Sequence, residues 1–448
     1  MKTKNLFLVP ALIAALNLML VGQAPAHTFT ALGDRGSSSD SPSFLGNAVY
    51  ASSHELVLSG NVFYGTWSGD DDSRTSGGVY ARNTDGTGYT NLYNFSEIPT
   101  VGYGPRRNAD GARPYGGVVL SGTNLYGTTY LGGTYGNGTI FKVSTNGTGF
   151  TVLQQGGGWS LAALVLSGDT LYGTGYYGGT SGNGTIFKVS INGTAFTNLH
   201  SFTARSNSPP YGNSDGAYPA AELIVSGNTL YGTATAGGIY DNGTVFAIRT
   251  NGTGFTTLHS FTATSTNYPS TNSDGAYPQA GLVLWGNTLY GTAMRGGTSG
   301  NGTVFAVQTN GTGFTNLFSF PATYPFVISP FYTLYTNQAG AVPQATLALS
   351  GHTLFGTTTG GGSQGQGTVF SLSFAPKLAQ SRSGTGVILS WPMNVAGFDS
   401  TGYTLQSTAS LAPPAVWSSN SPAPTIVNGE YRVTNSTTDI QRFYRLAK

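Results

Sequence analysis

Along residues 54–372, short runs of β-branched and aromatic residues alternate with Gly, Asn-Gly and Ser-Gly-Asn clusters, a pattern that predicts strands joined by tight hairpin turns. One arrangement recurs. A short apolar run such as Val118-Val119-Leu120 or Leu282-Val283-Leu284 leads into a turn such as Ser226-Gly227-Asn228 and then into Leu-Tyr-Gly-Thr. A glycine-rich stretch such as Thr180-Ser181-Gly182-Asn183 follows, then Gly302-Thr303-Val304-Phe305, an Asn310-Gly311-Thr312 turn and Phe314-Thr315-Asn316-Leu317, or their counterparts in each copy. Leu-Tyr-Gly-Thr or a near copy occurs six times, with its aromatic at Tyr64, Tyr126, Tyr172, Tyr231, Tyr290 and Phe355, at spacings of 62, 46, 59, 59 and 65. Each copy therefore predicts four antiparallel strands, the size of one propeller blade.

The ends of the array bear on its shape. The sixth copy reaches Gly367-Thr368-Val369-Phe370 and Ser371-Leu372 but continues into Ser373-Phe374-Ala375-Pro376, without a fourth strand. Near the N-terminus, Thr28-Phe29-Thr30-Ala31-Leu32 matches the fourth-strand pattern and precedes the first copy. If that segment completes the sixth sheet, the ring closes and no long edge is left to aggregate. The expected fold is all-β: a six-bladed β-propeller over 27–375, closed by the N-terminal strand, plus a small C-terminal β-sandwich over 376–448. An open β-solenoid is the alternative, although solenoid repeats are usually shorter and would not need this exchange.

Residues 1–26 stand apart. Lys2 and Lys4 precede an apolar run from Leu6 to Val21, and Ala24-Pro25-Ala26 suits a signal-peptidase site, so a secreted or cell-surface chain beginning near His27 is expected. An uncleaved anchor is the competing reading; the run is shorter than the ~20 residues a span needs, and no later stretch reaches that length. Composition agrees with strands and glycine turns: the 448 residues include 67 Gly, 24 Phe, 26 Tyr and 5 Trp, and only 8% are charged. Without the two leader lysines, 17 basic residues balance 17 acidic ones, which argues against a nucleic-acid partner, since phosphate binding needs clustered positive charge. The absence of Cys excludes disulfides, thiolate metal sites and thiol catalysis.

Asp-Gly-Ala-x-Pro at Asp110 to Pro114, Asp215 to Pro219 and Asp274 to Pro278, combined with the motifs above, resembles the GloVer tandem repeat of exported bacterial proteins. The resemblance spans about residues 54–372 and implies a propeller-like array rather than a particular activity. Copy one departs with Asp70-Asp71-Asp72 in place of the Gly-Gly pair, copy three has Gly156-Gly157-Gly158-Trp159 in place of the acidic segment, and copy six keeps only Gly340-Ala341-Val342-Pro343. The tail, with alternating stretches at Val387 to Trp391, Tyr403 to Gln406, Tyr431 to Thr434 and Arg442 to Leu446, resembles fibronectin-type-III-like modules of secreted bacterial proteins, some of which act in surface sorting. Trp391 and Trp417 are expected in its core.

With strands ordered outward, the tight turns share one face and the longer loops the other, and loops on a rigid scaffold are where function is usually placed. That loop face carries Tyr115, Tyr211, Tyr218, Tyr268 and Tyr277 and the candidate ligand-binding residues Trp67, Tyr130, Tyr135, Tyr176, Tyr177, Tyr240 and Arg295. Its charges include Asp70 to Asp72, Arg74, Arg106, Arg107 and Asp241. Aromatic, charge-poor loops suit neutral polysaccharide, because a ring offers an apolar face to sugar C–H groups and a hydroxyl to their oxygens, and repetition around a ring adds avidity. Tyr218 and Tyr277 precede Pro in equivalent loops and are expected to be structural.

Catalysis has weaker signals. Asp110, Asp215 and Asp274 repeat at one position, which fits turns better than a unique catalytic or cation-binding role. Asp70-Asp71-Asp72 reads as a solvated loop tip rather than a calcium site, and His27, His54, His200, His259 and His352 lack metal spacing. His200 and His259 are one repeat position seen twice, which argues for scaffold. Asn-Gly-Thr triplets fit the glycosylation pattern, but hairpin turns explain them. No cofactor or metal site and no catalytic residue are assigned. The expected function is a secreted or surface binding module, for extracellular polysaccharide or a surface protein; the alternatives are a polysaccharide-cleaving enzyme with its site at the channel mouth and a structural spacer.

Overall fold

The computed structural model describes residues 56–447, apart from 70–74, 99–105, 330–331, 384–385, 413, 420–421 and 437–441. The leader, the 28–32 segment and Asp70-Asp71-Asp72 therefore lie outside the described residues. Within these, the fold is all-β, with no helix and so no helix long and apolar enough to cross a membrane.

Five of the six repeats form four-stranded antiparallel sheets in simple chain order. The fourth repeat shows the plan, with strands Ile224–Ser226, Thr229–Ala234, Thr244–Arg249 and Thr256–Ser260. Pairing of Ser226 with Thr229 leaves the two-residue turn Gly227-Asn228, with Gly227 at φ +55°, a conformation glycine adopts without a Cβ penalty. The next hairpin is closed differently. Asn251 Oδ1 accepts from the Thr253 amide at 3.0 Å and the Thr253 hydroxyl at 2.8 Å, and Asn146, Asn192 and Asn310 repeat the arrangement. Asp85 does the same in the first repeat, where the Thr87 amide and hydroxyl hold its carboxyl below the usual range. The Asn-Gly-Thr triplets are thus turns whose side chain satisfies backbone donors.

The glycine of Leu-Tyr-Gly-Thr has a packing reason. A Cβ at Gly232 would lie 2.6 Å from Phe246 Cζ and 2.7 Å from Leu223 Cδ2, so only glycine lets the third-strand phenylalanine lie flat across the second strand.

The core lies between sheets. Tyr231, Val245, Ala247 and Leu258 of the fourth repeat bury themselves against Leu282, Leu289, Phe305 and Val307 of the fifth, and equivalent clusters fill the preceding junctions. The threonine of the first four motifs fastens the junction: Thr66, Thr128, Thr174 and Thr233 donate through Oγ1 to the carbonyls of Gly116, Ala162, Ala221 and Ala280 in the following repeat, at 2.9–3.1 Å. These connecting segments converge. Ala162, Ala221, Ala280 and Thr346, from repeats three to six, line one narrow cleft.

The sixth sheet has strands Ala348–Ser350, Thr353–Gly360 and Val369–Ser373, with Ala341–Pro343 beside the end of the long strand. Among the described residues no fourth strand pairs with Val369–Ser373.

Beyond it, Ala379–Ser383, Gly386–Pro392, Glu430–Ser436 and Thr425–Val427 form one sheet, and Ser418–Ser419, Thr404–Thr408 and Phe443–Ala447 another. Leu389, Trp391 and Val433 from the first share a core with Leu405 and Leu446 from the second. Trp391 is buried as expected, but Trp417 is not part of that cluster: it lies just before the short edge strand, half-buried beneath the Arg445 guanidinium, 4.3 Å from its ring centre. A hairpin from this tail, Asn394–Val395 and Phe398–Asp399, reaches back to the repeats. Phe398 is fully buried against Trp285, Tyr290 and Phe374, and the Tyr290 hydroxyl donates to the Ala396 carbonyl at 2.5 Å. Burial pushes the Tyr290 phenol up to about 12.

Candidate functional site

The repeated aspartates are buried and already engaged. Asp215 accepts from His200 Nε2 at 2.9 Å, from the Thr203 amide at 3.1 Å and from the Thr203 hydroxyl at 2.5 Å. Asp274 has the same three partners in His259 and Thr262. At Asp110 the histidine is replaced by Tyr93, whose hydroxyl donates at 2.8 Å, with the Ser96 amide and hydroxyl completing the set. Burial pushes the Asp215 and Asp274 carboxyls up, but the hydrogen bonds from histidine, threonine hydroxyl and threonine amide outweigh it and hold both below the usual range. Each aspartate locks the end of one fourth strand to the chain leading into the next sheet. Where the acid is missing, its partners are missing too: the fourth strand carries Gln154 before the third repeat and Phe318 before the sixth. Sequence spacing placed Asp215 and His200 separately on the scaffold and did not pair them.

The residue before the proline, which in repeat three is replaced by Ser160, is a second junction device. Arg113, Trp159, Tyr218, Tyr277 and Val342 occupy equivalent places, all with φ between +55° and +61°. Such a conformation is uncommon away from glycine. Their amides donate to carbonyls of Ser76, Asn137, Asn183, Asn242 and Asn301 in the preceding repeat, at 2.7–3.0 Å. Tyr218 and Tyr277 thus have the structural role expected of them.

Tyr218 has a further one, because this turn delivers its ring to an aromatic cluster at the junction of repeats three and four. Tyr218 stacks on Tyr176 at 5.3 Å and meets the edge of Tyr177 at 5.6 Å; Tyr176 and Tyr177 are perpendicular at 4.7 Å, and Trp159 abuts Tyr177 at 5.8 Å. Arg205 lies over the Tyr218 ring at 5.5 Å and forms an ion pair with Asp241. Burial opposes the Arg205 charge, but the Tyr218 hydroxyl and the Asp241 carboxylate outweigh it, so the guanidinium stays protonated.

Asp241 is unusual among the loops. Its position is held by glycine in repeats two, three, five and six, at Gly136, Gly182, Gly300 and Gly365, and Asp241 keeps the same left-handed backbone at φ +62°. Its Oδ1 accepts from the Gly237 amide at 2.8 Å while the other oxygen engages Arg205, which offsets the conformational cost. Beside it, Tyr240 is exposed.

Of the sequence candidates, Tyr176 and Tyr177 are brought together, with Tyr240 next to the acid that orients Arg205. The others stand on different repeats. Trp67 ends a strand of the first sheet with its indole nitrogen buried against Gly78 and without a hydrogen-bond partner among the described residues. Tyr130 meets Tyr115 edge-on at 5.4 Å in the second repeat, Tyr135 is exposed there, and Arg295 is an exposed residue of the fifth, bridged through its backbone to Ala276. Trp159 and Arg205 were not among the binding candidates; the signal for Trp159 was the departure of repeat three from the Asp-Gly-Ala-x-Pro pattern.

A second place went unnoticed in the sequence. Glu222 lies in the narrow cleft where Ala163, Gly281 and Thr346 hold the same position in other repeats. The Thr346 hydroxyl accepts from the Gly281 amide at 3.0 Å and approaches Glu222 Oε1 at 3.5 Å, linking three repeats.

The model of the Gloeobacter/Verrucomicrobia repeat matches residues 29–212, 100–272 and 212–388. No curated protein matches the chain. Among solved structures, BamB from Moraxella catarrhalis is similar at 12% identity and a TM-score of 0.36, over 85% of this chain and 95% of that one. TolB from Acinetobacter baumannii is similar at 12% identity and a TM-score of 0.35, over 72% and 59%. A chain of the nidogen/laminin complex is similar at 16% identity and a TM-score of 0.35, over 57% and 74%.

Proposed function

The chain belongs to the Gloeobacter/Verrucomicrobia repeat family, and from that premise we propose that it is an exported, six-bladed propeller that binds neutral polysaccharide outside the cell. The binding surface is the cluster of Trp159, Tyr176, Tyr177 and Tyr218, with Arg205, Asp241 and Tyr240 at its border. The observation that carries the reading is the ring arrangement. Tyr177 is 40% exposed, with Trp159, Tyr176 and Tyr218 packed against it, and this ring and its hydroxyl-bearing edge suit a sugar's apolar C–H face and its peripheral oxygens. The Arg205–Asp241 pair is internally neutralised and serves as a hydrogen-bonding rim rather than an anion trap. Convergence of repeats three to six on one cleft supports the ring, and the apolar leader supports export; the tail would then be a fibronectin-type-III-like module suited to surface attachment.

The test is binding of the full chain to a polysaccharide array, repeated with Tyr177→Ala, with reducing ends assayed alongside. Binding that weakens at least tenfold in the variant, with no reducing ends released, is the expected outcome. Unchanged binding in Tyr177→Ala would refute the site. Sugar release that is lost in Glu222→Gln would move the function to the central cleft and to hydrolysis.

A further inference from the structure

The connection between the fifth and sixth repeats differs from its counterparts. Phe202 to Pro219 and Phe261 to Pro278 each span 17 positions without a strand, whereas Phe320 to Pro343 spans 23 and contains a ribbon of two antiparallel strands, Tyr324–Ser329 and Tyr332–Thr336. The foot of the ribbon is fixed. Asn337 Nδ2 donates to the Pro321 carbonyl at 3.0 Å and to the Gly340 carbonyl at 2.9 Å, and Leu334 packs on Gly365 of the glycine-rich loop, where a Cβ would lie 3.0 Å from Leu334 Cβ. The ribbon therefore stands on the loop side of the sixth repeat.

Above this foot, apolar side chains are exposed on both faces. Residues directly opposite each other share a face and neighbours along a strand alternate, so Tyr324 and Phe326 lie on one face with Leu334, and Val327 and Tyr335 lie on the other. Tyr324 is 69% exposed, Phe326 60%, Val327 65% and Tyr335 59%. Neither outer edge pairs with a further strand among the described residues. Charge is missing as well: the sequence has no Asp, Glu, Lys or Arg between Arg295 and Lys377. An exposed apolar patch of this kind marks an interaction surface.

The two-sided exposure decides between occupants. A second copy added at an edge leaves both faces bare, and a copy or a flat protein partner packed face to face covers only one. A fluid layer surrounds both faces at once. Burying charge there would be unfavourable, and this stretch carries none. Tyrosine rings suit the level where apolar chains meet water, and the unpaired edge amides and carbonyls hold the ribbon at that level, short of the hydrocarbon interior. We propose that the ribbon attaches the chain to a lipid surface, with Tyr324, Phe326, Val327 and Tyr335 seated between the headgroups and upper acyl chains of an uncharged or zwitterionic layer. The contact is shallow and reversible, and it goes beyond the polysaccharide reading without depending on it.

The test uses vesicles of phosphatidylcholine alone. Because the chain has no cysteine, Val327→Cys in the full chain takes one polarity-sensitive fluorophore, and Asn228→Cys, at an exposed tight turn, is the control. Vesicles are expected to shift the emission at 327 to the blue and brighten it about twofold or more, with quenching by spin-labelled lipid, and to leave the label at 228 unchanged. Adding Phe326→Ser and Tyr335→Ser to the labelled chain should raise the lipid concentration for half the response about fivefold or more, since interfacial binding follows buried apolar area. High salt should leave the response as it is. An unchanged label at 327 would overturn the proposal, even where another segment holds the chain on the vesicle. So would a response that needs anionic lipid and disappears in salt, or a dimer that forms through the ribbon while the label ignores lipid. No sugar is present, so failure here and failure of polysaccharide binding are separate results.

Discussion

Replacing Asp215 with asparagine tests whether the repeated acids are junction locks. The carboxylate receives three hydrogen bonds, from His200 and twice from Thr203, and is buried. A neutral amide keeps the volume but turns an NH2 toward one of these donors. Hydrogen bonds to charged groups contribute about 1.5–3 kcal/mol each. They share one carboxylate whose burial is itself unfavourable, so the net loss for Asp215→Asn is about 2 kcal/mol, and Asp274→Asn should add a similar amount because the two acids share no partner. Urea unfolding from pH 7 to pH 3 is the assay. The folded carboxyls are held below the ordinary value of about 3.9, so their stabilisation is complete above that value and is lost as pH falls through it toward the folded value. The gap between parent and double variant should therefore be largest near pH 7 and close in acid. A gap that is absent at pH 7, or constant across the range, would refute the reasoning.

Other perturbations address packing and the tail. Gly232→Ala forces a methyl into Phe246 and Leu223 and should cost about 1–3 kcal/mol, read as a lower urea midpoint, whereas Gly227→Ala meets no atom within 4 Å and suffers only from its positive φ. Phe398→Ala empties a fully buried aromatic site and should cost about 3–5 kcal/mol, with faster proteolysis between the repeats and the tail as the specific sign. Asp241→Gly should restore the glycine found at this loop position elsewhere, leave stability within about 0.5 kcal/mol, and weaken polysaccharide binding by releasing Arg205; binding equal to the parent would remove the rim from the site.

Much of the architecture was legible because strand and turn signals are local. Alternating β-branched residues, Gly227-Asn228 and Asn251-Gly252-Thr253 set hairpins within a few residues of themselves, so the strands and the four-stranded sheets follow from one repeat read alone. Repetition also marked His200, Asp215, Tyr218 and their fifth-repeat counterparts as scaffold. Pairing across junctions was not legible. His200 meets Asp215 across 15 positions, Thr233 meets Ala280 across 47, and Thr346 approaches Glu222 across 124, and no local periodicity encodes such contacts. The packing of successive sheets alone decided that Trp159, Tyr176, Tyr177 and Tyr218 form one cluster, that Trp67 turns its indole inward, and that Phe398 of the tail lies in the core of repeats five and six. Side-chain direction within a strand is set by neighbours along the chain, whereas which strands face each other is set by burial summed over the whole array.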